Sequence, residues 1–419
     1  MKWLKYNKND SLIRDGIILF SATMIANVLG YAYHFAAGRL LGPVQYGILG
    51  AVLSLIYIVN VPVNVIQTTI AKFSAKFKAE QHKEKVNVLL RRSVRKLLLT
   101  GITATLIFLV LIGFIADFLK IPKEILLLFT PILLFSLLLP ITRGILQGLQ
   151  SFKDLGLNLV SEGFVKMALG IGFVLLGLGV GGAVLGITCS LGIAFLLSYF
   201  PLKNFFKKTH ETFERNEVYN YALPVFFALL LLTGFYTVDV LLVKHFFQDI
   251  DAGYYAALSL IGKMIFFGTF AIGNVMFPKV AEMHSLKKEN KQILNKSLIL
   301  MTLGSFAAVS LYFLFPKIII LLLFGKEYLR IIPLVGWMGV MMAFYSLSYL
   351  LSLYNLSIGK LKFIWILFVF FLIEVLALVL FHQNLESIIK ILAALMTVLF
   401  LILLIYTKAY GTEHYHSSI

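Results

Sequence analysis

Runs of about twenty uncharged, mostly apolar residues recur along the whole chain, separated by short segments that hold nearly all of its charge. A helix needs roughly 20 such residues to cross a hydrocarbon layer about 30 Å thick. The runs predict helices near residues 16–37, 48–71, 97–116, 125–147, 155–177 and 183–201, then 218–243, 254–278, 297–315, 331–356, 363–381 and 391–407. Residues 167–202 form one uncharged stretch too long for a single span, and Gly177, Gly179, Gly181 and Gly182 supply the turn that divides it. The fifth helix must then begin near Leu155, which sets Glu162 and Lys166 inside the membrane. The expected fold class is all-α, a polytopic membrane protein with about twelve transmembrane helices.

Composition agrees with this pattern, since 60% of the 419 residues are hydrophobic and 14% charged, against roughly 25% charged in a soluble domain. A net charge of +17 would suit a nucleic-acid binder if the basic residues formed a patch. They lie instead in alternate connections. The N-terminus, residues 72–96, Arg143 with Lys153, residues 203–217 and 279–296, Lys360 with Lys362, and Lys408 together hold 27 Lys and Arg, and the opposite connections hold eight. Lys and Arg are retained on the cytoplasmic side, so both termini are expected in the cytoplasm, in a cell membrane, and no nucleic-acid partner is needed. The basic leader before Gly16 could pass for a signal peptide, but the apolar run that follows exceeds a signal core and reads as the first span.

Searches for soluble chemistry return little. Cys189 is the one cysteine, which excludes an intrachain disulfide and a Cys-based zinc cluster. His414 and His416 read as a solvated tail, and no His-Glu-x-x-His, Walker loop or nucleophile elbow occurs. No catalytic residue, metal or cofactor is expected, and the outward connections are too short for a catalytic domain. The segment 72–96 mixes basic residues with Phe73, Phe77, Val86, Leu89, Leu90 and Val94. It reads equally as an amphipathic helix on an anionic leaflet or as a solvated loop.

The halves 1–210 and 211–419 echo one another and are taken as two six-helix lobes. Ala51–Ile56 answers Ala256–Ile261, Asn64, Val65 and Ala71 answer Asn274, Val275 and Ala281, and Lys153 answers Lys360. Six spans per half give both halves one orientation, as in repeats related by an axis along the membrane normal. The segment YAYHFAAGRLLGPVQYGILGAVLSLIYIV, from Tyr31 to Val59, contains an Arg-Leu-Leu-Gly-Pro element at 39–43. Together with RGILQGLQSFKDLGLNLVSEG, from Arg143 to Gly163, it resembles the polysaccharide (O-antigen, Wzx-type) flippases of the multidrug, oligosaccharidyl-lipid and polysaccharide exporter superfamily. Many members of that family have up to fourteen spans, so twelve is at its short end. The resemblance implies two lobes around a central cavity that opens alternately to each side. It implies a polyprenyl-phosphate-linked oligosaccharide as substrate, carried from the cytoplasmic to the outer leaflet while its tail stays among membrane lipid. No covalent chemistry is implied, and a proton or sodium is the candidate coupling ion.

Ionisable residues at membrane depth are costly and usually face a cavity or a partner. Lys263 and Arg39 are the first choices to hold a substrate phosphate, with Lys166 and Arg143 beside them. Arg39 also reads as an interfacial anchor. Glu374, Glu162 and Asp239 are the ion-coupling candidates. Glu162 and Lys166 are spaced for an intrahelical pair, Asp239 and Lys244 align less well, and Glu374 has no basic residue within a turn. Asn27, Asn60, Asn64, Gln67, Gln147 and Asn274 either line a cavity or hold helices together. Pro62, Pro131, Pro140, Pro224 and Pro278 mark bends. Two rivals share parts of this pattern: a cation-coupled multidrug exporter of the same superfamily, and a membrane polysaccharide polymerase or ligase.

Overall fold

The computed structural model describes residues 8–205, 216–286 and 288–410. The basic leader before Lys8, residues 206–215 and the pair His414 and His416 lie outside the described residues. Among the described residues all regular structure is helical. Helix α1 (Lys8–Ala79) carries the first two spans and turns at Gly42, whose φ of 65° suits a residue without a side chain. Helices α2 (Lys83–Leu119) and α3 (Lys123–Gly148) are the third and fourth. Helices α4 (Phe152–Phe173) and α5 (Gly179–Tyr199) are the fifth and sixth, divided at the expected glycine cluster by a π turn over Val174–Leu178, with φ of 88° at Gly177.

The seventh span is broken. Helix α6 (Asn216–Phe235) meets α7 (Val238–Phe246) at 42°, a bend the uncharged run does not reveal. Helices α8 (Asp249–Ser285) and α9 (Lys291–Leu314) follow, then a short apolar helix α10 (Pro316–Leu323) and a 3-10 turn over Lys326–Ile331 that the sequence reading leaves as a connection. Helices α11 (Ile332–Ser357), α12 (Phe363–Leu380) and α13 (Leu385–Tyr410) complete twelve spans. Among the described residues nine helical stretches are long and apolar enough to cross a membrane, ten with the bent pair, and the first and the fourth each contain two spans.

The segment 72–96 takes neither expected form. Helix α1 runs to Ala79 and α2 starts at Lys83, so the polar stretch is a helical hairpin closed at Gln81, where φ is 60°. Phe73, Phe77, Val86, Leu89 and Leu90 are buried with Leu138, Ile141 and Ile145 of α3. Their apolar stripe is spent on protein contact and cannot lie on a leaflet. Lys72, Lys76, Arg92, Arg95 and Lys96 remain exposed.

The chain forms two compact units, Met1–Leu41 with Leu55–Leu223, and Gly42–Ser54 with Pro224–Ile419. In the first, α4 presents Gly156, Gly163 and Gly170, seven residues apart, to α1. A Cβ on Gly156 would lie 2.9 Å from Ala22 Cβ, and one on Gly170 would lie 2.6 Å from Tyr33 Cε2. Such a seam lets two membrane helices approach closely and gain dispersion contacts, which drive packing where lipid is as apolar as the side chains. In the second unit, α11 packs on α8, α9 and α13, and Tyr46 from the Gly42–Ser54 segment lies edge-on to Phe324 and Tyr328.

Candidate functional site

The second unit encloses a charge cluster built around the broken span. Thr237 closes α6 with its hydroxyl, which donates to the Thr233 carbonyl at 2.8 Å, and α7 restarts at Val238. Asp239 therefore stands in a first helical turn, where exposed N–H groups favour an anion. Its Oδ1 accepts the Val240 N–H at 2.7 Å, and its Oδ2 accepts the Tyr255 hydroxyl at 2.8 Å. Lys263 follows Tyr255 by eight residues on α8, close to the same face. Its ammonium lies 5.4 Å from the centroid of the Tyr236 ring, and its charge and that of Asp239 act on one another.

Glu374 enters this cluster from α12. It is 0% exposed, neither carboxyl oxygen makes a hydrogen bond among the described residues, and the charge of Asp239 acts on it. Asp239 and Lys263 are also buried, at 0% and 4% exposure. Two ionised carboxylates with one ammonium would leave a net negative charge away from water. Such a charge costs several kcal/mol unless a proton or cation joins it. The arrangement is one that can take up and release a small positive species.

The first unit holds a different arrangement. Arg143 on α3 reaches across to α4, where its Nη2 donates to Glu162 Oε2 at 2.5 Å and its Nε donates to Asn158 Oδ1 at 2.7 Å. Asn158 in turn donates to the Ala194 carbonyl of α5 at 2.6 Å. Glu162 is thus turned to Arg143 across helices, not to Lys166 along its own, although its charge still acts on Lys166. The Lys166 ammonium sits 5.5 Å from the Tyr33 ring centroid. A Cβ on Gly30 would lie 3.6 Å from Nζ, in ordinary van der Waals contact, so the ammonium lies against that position of α1. Tyr33 is fixed by its own hydroxyl, which donates to the Ala183 carbonyl at 3.0 Å.

The expected site residues therefore separate by unit. Lys263, Asp239 and Glu374 come together in the second. Arg143, Glu162 and Lys166 lie along the α3–α4 region of the first, and Arg39 is exposed on α1. Lys263, a first choice to hold the substrate phosphate, is buried, and its charge and that of Asp239 act on one another. Lys244 pairs with Asp249, so it does not answer Asp239. Gln67 donates to Gln147 at 3.2 Å, a contact that holds α1 to α3, while Asn27, Asn64 and Asn274 are exposed. Tyr255, Tyr236, Tyr33 and Asn158 were not singled out by sequence. The eight-residue step from Tyr255 to Lys263 and the seven-residue glycine stripe are the signals that point to them. Among the described residues no group of three or more His, Cys, Asp or Glu is placed to hold a metal.

Comparison with known proteins places the chain in a family. An uncharacterized membrane protein of Methanocaldococcus jannaschii is 24% identical over 382 residues, covering 85% of this chain and 88% of its own. The fold is similar to that of a multidrug resistance MATE family transporter of the MOP superfamily in its inward-facing conformation. The TM-score is 0.73 at 14% identity, over 94% of this chain and 98% of that one. The outward-facing conformation of such a transporter gives 0.70 at 16% identity, over 97% and 99%. A eukaryotic MATE transporter gives 0.68 at 14%, over 94% and 96%. At these identities the likeness is one of fold, and it makes this multi-pass membrane protein MATE-like in architecture. Residues 37–333 match the model of a family described as polysaccharide biosynthesis protein, and the chain belongs to that family.

Proposed function

We propose that the protein is a flippase that carries a polyprenyl-phosphate-linked oligosaccharide from the cytoplasmic to the outer leaflet of the cell membrane by alternating access. The observation that carries this reading is the match to a polysaccharide biosynthesis family in a chain with a transporter fold. Both termini lie in the cytoplasm, as the bias of 27 Lys and Arg against eight supports. The polar head group crosses while the tail remains in lipid, and no covalent bond is made or broken. Lys166 and Arg39 hold the phosphate. An anion leaves water only where fixed positive charge compensates its lost hydration, and Arg143 engages the carboxylate nearest to Lys166. Asp239 and Glu374 form the coupling site.

The buried carboxylates and the MATE-like fold also suit export of a cationic drug, and one experiment separates the two readings. Protein reconstituted in vesicles is given a labelled polyprenyl-phosphate-linked oligosaccharide, and an impermeant reagent scores which leaflet exposes the head group. A cationic dye is tested in parallel. Movement of the oligosaccharide alone is the expected result, and movement of the dye alone replaces this function with multidrug export.

A further inference from the structure

Two carboxyl groups in an apolar enclosure form a site that an alkali cation could enter, and the third member of this cluster bears on whether it does. An alkali cation requires several oxygen ligands. Each oxygen of Asp239 accepts one hydrogen bond, from the Val240 N–H and the Tyr255 hydroxyl, which fixes the carboxylate and leaves each oxygen a further lone pair, so the charge beside it decides what it can hold. The positive charge that would balance Asp239 is supplied from inside the chain by Lys263, held over the Tyr236 ring, where the negative face of the ring favours an ammonium. The groups that face the cluster are Asp239 from α7, Tyr255 and Lys263 from α8, Tyr236 from the bend before α7, Tyr345 from α11 and Glu374 from α12. Tyr345 spends its hydroxyl on the Leu232 carbonyl at 2.8 Å, and Lys244 is paired with Asp249.

We propose that Lys263 is a resident cation, whose ammonium serves Asp239 in place of an exchangeable alkali ion, so that the site excludes sodium and exchanges only a proton, at Glu374. With Asp239 and Lys263 both charged their sum is zero. A proton on Glu374 then leaves the cluster neutral, and loss of that proton leaves one negative charge. The two oxygens of Glu374, which make no hydrogen bond among the described residues, are the atoms left to carry the exchange. If Lys263 loses its charge, the same carboxyl pair needs a cation from outside, and the site becomes an alkali-ion site. For its place in a transport cycle the inference rests on the flippase reading, but cation binding itself can be measured without any transported substrate.

The test is thermal unfolding of the purified full chain in detergent, in sodium, potassium, lithium or choline chloride at equal ionic strength. The wild type should melt at the same temperature in all four. Lys263→Met keeps the apolar stem and removes the charge, and its melting temperature should rise by about 3 °C or more in at least one alkali chloride over choline. Lys263→Met/Glu374→Gln should lose that rise. A folded Lys263→Met protein that responds to no alkali ion overturns the proposal. A sodium-dependent rise in the wild type that Asp239→Asn or Glu374→Gln removes also overturns it. If Lys263→Met does not fold, Lys263→Gln is used, and the wild-type comparison still decides. Failure of oligosaccharide transport with these cation results intact would remove the flippase reading and leave Lys263 as a resident cation.

Discussion

Arg143 offers the sharpest test of whether the polar groups of the first unit hold helices or substrate. Arg143→Met removes two hydrogen bonds, to Glu162 at 2.5 Å and to Asn158 at 2.7 Å. Hydrogen bonds to charged groups contribute roughly 1.5–3 kcal/mol each. The two charged side chains keep 11% and 24% of their exposure, so water recovers part of the loss and the lower end applies. The expected destabilisation is roughly 3 kcal/mol for the two bonds. Glu162→Gln keeps an acceptor and should cost about 1 kcal/mol. In the double variant no unpaired carboxylate remains, so its cost should fall short of the sum by about 1–2 kcal/mol. The assay is reversible unfolding in bicelles with increasing denaturing detergent, run beside vesicle transport of the labelled oligosaccharide. Arg143→Lys keeps the charge but not the second arm, and should fall between the wild type and Arg143→Met. Strict additivity would refute the pair as a structural clamp. Wild-type stability in Arg143→Met together with lost transport would move Arg143 to the substrate.

Lys166→Ala should lose most oligosaccharide movement while the protein inserts at normal levels, and Lys166→Arg should keep a substantial part; unchanged movement in the alanine variant would remove Lys166 from phosphate binding. Glu374→Gln should impair transport more than Glu162→Gln and flatten its dependence on a proton gradient, because Glu162 is paired with Arg143 while Glu374 makes no hydrogen bond among the described residues and lies under the like charge of Asp239; equal activity of the two variants counts against the coupling role. Gly170→Ala places a methyl group 2.6 Å from Tyr33 Cε2 and should destabilise the protein by roughly 1–3 kcal/mol in thermal unfolding, whereas Gly172→Ala meets open space and should not. Tags at both termini and near Lys83 and Lys288 should report the cytoplasm, and tags near Lys120 and Phe247 the outside; one clear inversion breaks the orientation.

The spans were legible because lipid imposes one rule on every segment that crosses it, a minimum apolar length with all backbone groups paired internally. The turn at Gly177 was legible for a related reason, since a doubled apolar run must fold back and glycine offers the left-handed conformation that the turn uses. The hairpin at 72–96 shows where this reasoning stops. Phe73, Phe77, Val86 and Leu89 have the same spacing whether lipid or protein covers them, and only the placement of α3 decides for protein. The bend between α6 and α7 was hidden too, because Tyr236 and Thr237 are ordinary members of an apolar run.

Partner choice was the least legible part, and energy explains why. The four-residue step from Glu162 to Lys166 suggests a pair, but such intrahelical contacts contribute only about 0.2–0.5 kcal/mol. A guanidinium arriving from α3 offers a charge-assisted bond of roughly 1.5–3 kcal/mol and fixes Asn158 with its other arm. Tertiary geometry therefore outweighs sequence spacing. The same reasoning applies to Lys263, which lies 24 residues from Asp239 and whose charge acts on it because α7 restarts at the bend. Lys166 on the fifth span and Glu374 on the eleventh are both ionisable residues set within spans, and their surroundings differ. In one unit the Lys166 ammonium meets a tyrosine face, and in the other Glu374 lies under the charge of Asp239, whose own partner is a lysine. The groups that face a buried charge, more than the helix that carries it, determine which ion it can hold.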